Sequence, residues 1–200
     1  MKKFEEKKFN IPTLKGISAK TIEEHLKLYA GYVKNSNSTR EKLAEYSKDK
    51  DANGYVMGEL WRRFSFEYNG MRNHEVYFSS FEGGAKPLTN GSSLKKMIEE
   101  TWGSFDEWLA GFKNLAGSTR GIGWAVLWYD KKNDTLLTSW IDEQHFGELN
   151  GCDMILGLDM WEHSYTADYQ PSGKKNYIED FFANINWEMI ESNLSVAKGK

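Results

Sequence analysis

The sequence has 200 residues, a length that allows one or two domains with a hydrophobic core, and a net charge of −3. That charge argues against a general nucleic-acid-binding protein, which needs a basic face. The single cysteine, Cys152, excludes an intrachain disulfide and a cluster of thiolate ligands. Because no apolar run is long enough to span a membrane, we expect a soluble, cytoplasmic protein that binds neither nucleic acid nor membrane.

The first helix is predicted after an extended arm, Ile11 to Gly16. Ser18 or Thr21 can cap this helix, and Glu24 stands three residues after Thr21 as in a capping box. His25 lies on an apolar stripe that consists of Ile22, Leu28, Tyr29, Tyr32 and Val33. We therefore expect His25 to point inward, whereas Glu24 lies on a wetter face of the helix.

A second buried histidine is predicted on the next helix. The polar stretch Asn35 to Arg40 is expected to interrupt or weaken the first helix, and Lys48 to Gly54 to form a turn. The second helix is then predicted from Tyr55 to Phe81, with His74 on its apolar stripe. Gly70, one turn before His74, either leaves room for another group or lets the two helices pack closely. The two helices would form an antiparallel hairpin.

Smaller elements are predicted after a glycine-rich boundary, Glu82 to Gly91. The predicted elements are helices at Ser93–Thr101 and Ser104–Ala116, a turn at Gly117–Gly123, strands at Trp124–Tyr129, Thr135–Ile141 and Met154–Leu158, and amphipathic helical spacing from Asn176 to Asn193. We expect two domains, a helical hairpin over residues 1–86 and an α/β domain over residues 87–200.

A carboxylate and an imidazole follow the third predicted strand. Asp159 ends the apolar run, and His163 follows four residues later, so that both side chains could face one metal ion. Such a pair is weak evidence by itself. The scarcity of histidine makes its positions informative, since the chain has only His25, His74, His145 and His163.

Together these residues resemble those of the iron/manganese superoxide dismutases. The resemblance runs from about Ile11 to Asn193. It rests on four blocks in order, namely Asn73-His74, Gly121-Ile122-Gly123-Trp124, Asp159-Met160-Trp161-Glu162-His163-Ser164-Tyr165 and Ile185-Asn186-Trp187-Glu188. It implies an α+β fold in which an N-terminal two-helix antiparallel hairpin precedes an α/β domain with a three-stranded antiparallel sheet. The predicted elements match this fold.

The resemblance also implies a mononuclear metal site between the two domains. Members of the family hold one manganese or iron ion with three histidines, one aspartate and a solvent molecule. The matching ligands in this chain are His25, His74, Asp159 and His163. Imidazole with carboxylate suits either ion.

A glutamine that contacts the bound solvent helps to indicate the metal. Iron-type members tend to place it one turn before the second ligand histidine, where this chain has Gly70. Manganese-type members place it after the second strand, where this chain has Gln144. The pattern favours manganese, although some members accept either ion. His145 would contact the bound solvent instead if the loop shifts by one residue, but the resemblance favours Gln144.

The first helix departs from the family pattern. Family members carry a tyrosine eight residues after the first ligand, but Tyr32 follows His25 by seven. An ungapped alignment would put Glu24 at the ligand position. A one-residue deletion instead makes His25 the ligand and removes a bulge of the π type from the helix. The apolar stripe around His25 favours the deletion, and Tyr32 would still overlook the metal.

The subunit interface departs from the family pattern as well. The second histidine of the usual His-x-x-x-His pair is absent, and the tyrosine that it contacts in the partner subunit is replaced by Thr166. Glu162, which in the family reaches the partner's ligand histidine, remains. We expect a homodimer, with a tetramer as the alternative, and a substrate channel lined by Tyr29 and Tyr32.

The activity implied is the disproportionation of superoxide to O₂ and H₂O₂. Tyr32 and Gln144 would hold and relay protons, and Trp124 and Trp161 would shield the site. The alternatives are another mononuclear metalloenzyme, such as an iron oxygenase with two histidines and one carboxylate, and a non-catalytic descendant on the same scaffold.

Electrostatic steering is a further expectation from the charge of the substrate. Superoxide is an anion and the chain has a net negative charge, so attraction of the substrate needs a local positive surface. Lys174 and Lys27 are the candidates for this role.

Overall fold

Among the described residues, the fold combines six α-helices, one more than the sequence predicts, with the expected three-stranded antiparallel sheet. A computed structural model describes residues 1–199. The helices are α1 (Ala19–Tyr46), α2 (Lys50–Ser79), α3 (Ser93–Trp102), α4 (Phe105–Ser118), α5 (Lys174–Asn184) and α6 (Trp187–Ala197), and the strands are β1 (Trp124–Asp130), β2 (Thr135–Ile141) and β3 (Cys152–Asp159). Short 3₁₀ turns lie at Glu162–Ser164 and Pro171–Gly173. Within the described residues, no helix is both long and apolar enough to cross a membrane.

Helix α1 runs without interruption, so the predicted weakening at Asn35 to Arg40 is wrong. Ser18 is the N-cap, and its hydroxyl accepts a hydrogen bond from the Thr21 amide at 3.1 Å. Three polar side chains of this stretch, Asn35, Asn37 and Arg40, donate hydrogen bonds to residues outside the helix. The amide side chain of Asn37, for example, exchanges two hydrogen bonds of 2.9 Å with the backbone of Phe4. Tertiary contacts thus override a weak local preference for helix.

Helix α2 begins five residues earlier than predicted. Asp49 caps it, and one of its carboxylate oxygens accepts a hydrogen bond from the Ala52 amide at 3.1 Å. The connection between the two long helices therefore shrinks to Ser47–Asp49, and Gly54 lies inside α2. Such a short connection makes α1 and α2 antiparallel neighbours along most of their length.

An N-terminal arm without regular secondary structure, residues 1–18, packs along the hairpin. The backbone amide of Lys7 donates to the Tyr29 hydroxyl at 2.8 Å, and that hydroxyl donates to the buried carboxylate of Glu75 at 3.3 Å. The arm therefore closes the side of the hairpin that carries Tyr29.

The sheet has the order β2-β1-β3, and both pairings are antiparallel. The central strand β1 is buried from Trp124 to Tyr129, which explains its continuous aromatic and aliphatic run. The register places Trp124 opposite Ile141 on β2 and opposite Asp159 on β3. One end of the sheet thus brings Trp124, Asp159 and the segment after β2 together.

The C-terminal stretch forms two helices where the sequence shows one amphipathic segment. Asn186 lies between them, caps α6 through its side-chain oxygen, and donates from its side-chain nitrogen to the Glu82 carbonyl at 2.7 Å. The backbone amide of Asn186 donates to the Ser80 carbonyl at 2.7 Å. The break in the helix therefore ties the C-terminal segment to the end of α2. The division into domains 1–86 and 87–200 stays a prediction.

We expect Asn186→Ala to lower the free energy of unfolding by about 1–3 kcal/mol, because the change removes a helix cap and leaves the part-buried Glu82 carbonyl without its donor. Urea denaturation measures this difference. The matched control is Asn176→Ala, an exposed asparagine on α5, for which we expect a change within about 0.5 kcal/mol. Equal stability of the two variants would contradict the role of Asn186.

Candidate metal centre

Four side chains from four separate elements converge on one point. His25 comes from α1, His74 from α2, Asp159 from the end of β3, and His163 from the following 3₁₀ turn. Asp159 Oδ2 lies 3.2 Å from His25 Nε2, 3.6 Å from His74 Nε2 and 3.1 Å from His163 Nε2. One potential ligand atom from each residue lies within 4.8 Å of the other three. The structure thus brings together all four predicted ligands.

Burial and contacts among the four residues together set the charge states of His25, His74 and Asp159. The side chains of His25, His74 and Asp159 are 0% exposed, whereas that of His163 is 22% exposed. Burial lowers the pKa of His74 to about 3 and lowers the pKa of His25, so both imidazoles are neutral at pH 7. Burial alone would raise the pKa of Asp159, but the charge of His163 and hydrogen bonds from His163 and His25 outweigh it and lower the pKa.

The donor set fits a divalent or trivalent metal ion. His74 donates from Nδ1 to the Gly70 carbonyl at 2.6 Å, which leaves a lone pair on Nε2. Nε2 of His74 is buried and has no hydrogen-bond partner among residues 1–199. An unpaired buried nitrogen that faces a carboxylate and two further imidazoles is costly without an ion. Three imidazoles with one carboxylate suit manganese or iron.

Neighbouring groups hold Asp159 in place. Its Oδ1 accepts a hydrogen bond from the Trp161 amide at 2.8 Å. Its backbone carbonyl accepts from the Tyr177 hydroxyl at 2.9 Å and from the Ser164 hydroxyl at 3.0 Å. The Tyr77 and Tyr177 hydroxyls lie 3.1 Å apart. Sequence reasoning did not assign these tyrosines, since each looked like an ordinary aromatic residue of the core.

Gln144 lies on the segment after β2 and contacts Tyr32 and Trp124, which both lie beside the His74 ring. Gln144 is fully buried, and its side-chain nitrogen donates to the Tyr32 hydroxyl at 3.1 Å. Its side-chain oxygen accepts from the Trp124 indole at 3.1 Å, and its backbone carbonyl accepts from Asn73 at 2.9 Å. His145, in contrast, packs against Phe146 with a ring-centroid distance of 4.0 Å and does not join the four ligand residues.

Gly70 lets the two long helices approach each other at Tyr32. A Cβ atom at position 70 would lie 2.5 Å from Tyr32 Cδ1 and 2.7 Å from Cε1. The Tyr32 ring itself lies 5.0 Å from the His74 ring, measured between centroids. The space beside Gly70 is therefore filled by Tyr32, which accounts for a glycine inside a helix.

Helix α1 has no π-type turn within Ala19–Tyr46. His25 faces the cluster, whereas Glu24 is exposed and accepts a hydrogen bond from Lys27 at 2.8 Å. The Tyr29 hydroxyl points to Lys7 and Glu75, and its ring is buried. Of the two tyrosines predicted to line a channel, only Tyr32 has a hydroxyl that contacts the Gln144 side chain.

The remaining predicted residues lie around the rim of the site. Trp161 donates from its indole to the Glu143 carbonyl at 3.1 Å, and its ring lies tilted beside that of His163, with ring centroids 5.7 Å apart. Glu162 is exposed, and the Thr166 hydroxyl donates back to the Glu162 carbonyl at 2.8 Å.

The two lysines predicted to steer the substrate have other partners. Lys27 forms ion pairs with Glu23 at 2.9 Å and Glu24 at 2.8 Å. Lys174 donates to the Thr119 carbonyl, and burial lowers its pKa. Sequence reasoning missed Arg63, Phe66 and Glu67, which lie on α2 near Tyr32. Glu67 precedes His74 by seven residues and so shares its helical face, a signal that could have been used.

Comparisons with known proteins agree with this geometry. A family model described as "Iron/manganese superoxide dismutases, C-terminal domain" matches residues 89–193. The manganese superoxide dismutase of Mycobacterium leprae is 34% identical over 178 residues, which cover 88% of this chain and 83% of that protein. The iron superoxide dismutase of Pyrobaculum aerophilum is 30% identical over 186 residues, which cover 90% of this chain and 85% of that protein.

We expect Gly70→Ala to displace the Tyr32 ring, break its hydrogen bond with Gln144 and lower the free energy of unfolding by about 1–3 kcal/mol. The matched control is Gly58→Ala on the same helix, where nothing lies within 4 Å of an added Cβ. That control should raise the free energy of unfolding by about 0.5–1 kcal/mol, because alanine favours helix over glycine. Chemical denaturation and a crystal structure of each variant test both expectations. Changes of the same sign in the free energy of unfolding of the two variants would contradict close packing at Gly70.

Proposed function

The chain belongs to the iron/manganese superoxide dismutase family, and we propose that it disproportionates superoxide at one manganese or iron ion held by His25, His74, Asp159 and His163. The reaction converts two superoxide anions and two protons into O₂ and H₂O₂. The observation that carries the proposal is the convergence of four ligand atoms within 4.8 Å of one another at the end of β3. When bound, the metal ion would accept an electron from one superoxide and donate an electron to the next.

The ligand side chains prepare this site for a cation. Neutral imidazoles at His25 and His74 present lone pairs, and the Asp159 carboxylate supplies a negative charge in a water-excluded place. The bond from His74 Nδ1 to the Gly70 carbonyl sets the orientation of that ring. The hydrogen bonds to Asp159 from Trp161 and Tyr177 support its position in the same way.

Tyr32 and Gln144 are proposed to hold and deliver protons. Gln144 donates to the Tyr32 hydroxyl oxygen, so the Tyr32 proton remains available to another acceptor. Burial, followed by the charges of Asp159 and Glu67, raises the pKa of Tyr32. Tyr32 therefore stays protonated at neutral pH and can act as a donor. The indoles of Trp124 and Trp161 exclude water from two sides of the ligand cluster.

Manganese is the proposed ion. The Gln144 side chain comes from the segment after β2, as in manganese-type members, and bonds to Tyr32 and Trp124. Position 70, where iron-type members tend to carry the glutamine, has no room for a side chain beside Tyr32. The relative from Mycobacterium leprae carries manganese in its name and that from Pyrobaculum aerophilum carries iron.

A homodimer is the proposed assembly, with a tetramer as the alternative. His163 is the one ligand that water reaches, and the exposed Glu162 adjoins it. A second copy placed over this surface would cover His163 and let each Glu162 reach His163 of the partner subunit. We also propose a cytoplasmic location, with which the absence of any possible intrachain disulfide is compatible.

We expect His25→Ala to bind manganese or iron at least about 10–100-fold more weakly than the wild type, since loss of an outer-shell partner alone costs that much. Metal content after dialysis and dismutase activity are measured for protein loaded separately with each ion. The controls are Glu24→Gln and His145→Ala, whose side chains lie outside the ligand cluster and should keep the metal. The manganese form should be the more active. No activity of the wild type with either ion overturns the proposed function.

We expect the wild type to sediment with twice the mass of one chain, and Glu162→Ala to shift the equilibrium to single chains. The reason is that Glu162 is proposed to bridge to His163 of the partner subunit. Sedimentation equilibrium measures the mass, and Glu100→Ala, an exposed glutamate on α3, serves as the control. A wild type that sediments as a single chain at all concentrations would disprove this assembly.

A further inference from the structure

A cluster of aromatic rings packs on the outer side of Tyr32, the proposed proton donor. Phe66 on α2 lies at its centre. The centroid of its ring is 5.9 Å from that of Tyr32, 5.8 Å from that of His145 and 6.5 Å from that of Trp161. Because Phe66 is partly exposed, this group lies between water and the Tyr32 side of the site.

The guanidinium of Arg63 lies on this aromatic group. The guanidinium carbon of Arg63 is 3.9 Å from the centroid of the Phe66 ring, a distance that fits a cation–π contact. The Arg63 side chain is 51% exposed, so its charge is at the boundary with water. The neighbouring Arg62, in contrast, is paired with Glu59 at 2.8 Å.

A buried carboxylate lies directly beneath this cation. Glu67 is only 5% exposed, and its Oε1 accepts a hydrogen bond from Arg63 Nε at 2.8 Å. Its Oε2 accepts from Asn35 of α1 at 3.3 Å. Glu67 and Arg63 are close enough to Tyr32 to act on its pKa, since the Glu67 charge raises that pKa and the Arg63 charge opposes it, although burial has the largest effect.

An unbalanced Glu67 would repel the anionic substrate from this side of the site. A carboxylate in a place with few water molecules exerts a longer-ranged field than one in water. The two lysines that the sequence suggested for steering do not supply a free charge, because Lys27 is paired with Glu23 and Glu24 and Lys174 binds the Thr119 carbonyl. Arg63, in contrast, is close enough for its charge to act on Tyr32 and oppose that of Glu67, so the charge balance beside Tyr32 depends on it.

We propose that Arg63 is a specificity-determining residue for the anionic substrate. It neutralises the buried Glu67 carboxylate beside Tyr32 and places its own positive charge at the aqueous side of Phe66. Superoxide that approaches Tyr32 then meets the cation of the pair before the anion. This inference rests on the proposed function, because it concerns the approach of superoxide to the same site.

A charge cycle tests the inference with three variants of the full-length, metal-loaded protein. Arg63→Gln leaves one net negative charge at the pair, Glu67→Gln leaves one positive charge, and the double variant Arg63→Gln/Glu67→Gln leaves none. The second-order rate constant with superoxide is measured by pulse radiolysis at about pH 8, far above the ordinary carboxyl range. Each rate is measured at low and at high salt.

At low salt, we expect the rate constant with superoxide to fall when the net charge of the pair at positions 63 and 67 becomes negative. Arg63→Gln should be about three- to tenfold slower than the wild type, the double variant should return close to the wild type, and Glu67→Gln should be at least as fast. The differences should shrink toward about 1 M salt, where the Debye length is about 3 Å. Lys42→Gln, which removes one exposed positive charge near the far end of α1, controls for net charge and should be near the wild type.

A second readout does not depend on turnover. The affinity of the metal-loaded protein for azide, an inert small anion, is measured by optical titration and should fall in Arg63→Gln and recover in the double variant. The inference is overturned if Arg63→Gln matches the wild type in rate and azide affinity, or if the double variant is as impaired as Arg63→Gln. A wild type that is inactive in both metal forms would instead reject the proposed function.

Discussion

The buried carboxylate of Asp159 is the constraint on which the rest of the structure depends. A charge without access to water is costly unless it is paired, and three imidazoles surround this one. The imidazoles come from two helices and a 3₁₀ turn, so all three surround the carboxylate only when the hairpin docks on the end of the sheet. The same four groups, with neutral rings at His25 and His74, are what a manganese or iron ion requires. Folding and metal binding therefore depend on the same contacts.

The docking of the hairpin is set by a few close approaches rather than by apolar burial alone. Gly70 allows the Tyr32 ring to lie against α2, and this places the Tyr32 hydroxyl within reach of Gln144. Asn186 fixes the end of α2 to the start of α6 with three backbone or side-chain hydrogen bonds. Apolar burial supplies most of the free energy of folding but has little direction. The directional contacts decide which polar atoms face the ligand cluster.

Much of this arrangement could be predicted from the sequence, and the failures have physical causes. The strands and the inward faces at His25 and His74 follow from periodicity, which reflects burial. The continuity of α1 through Asn37 could not be predicted, because the partner of Asn37 is Phe4, in a distant segment without regular structure. The break at Asn186 could not be predicted either, because its partners Ser80 and Glu82 are distant in the sequence. The domain division and the roles of the site residues remain predictions.

The first helix places His25 and Tyr32 on one face, but the two buried histidines are supported differently. Without a π-type turn, seven residues separate His25 from Tyr32, and seven residues return to nearly the same face of an ideal helix. Both side chains can thus face the cluster, but Nδ1 of His25 is left without a hydrogen-bond partner among residues 1–199. His74 has such a partner in the Gly70 carbonyl, so the two buried ligands differ in how firmly they are oriented. The orientation of His25 then rests on packing, with the rings of Tyr77 and Phe78 each 4.9 Å from its own. The aromatic richness of the chain therefore supports the site at the ligand where a hydrogen bond is lacking.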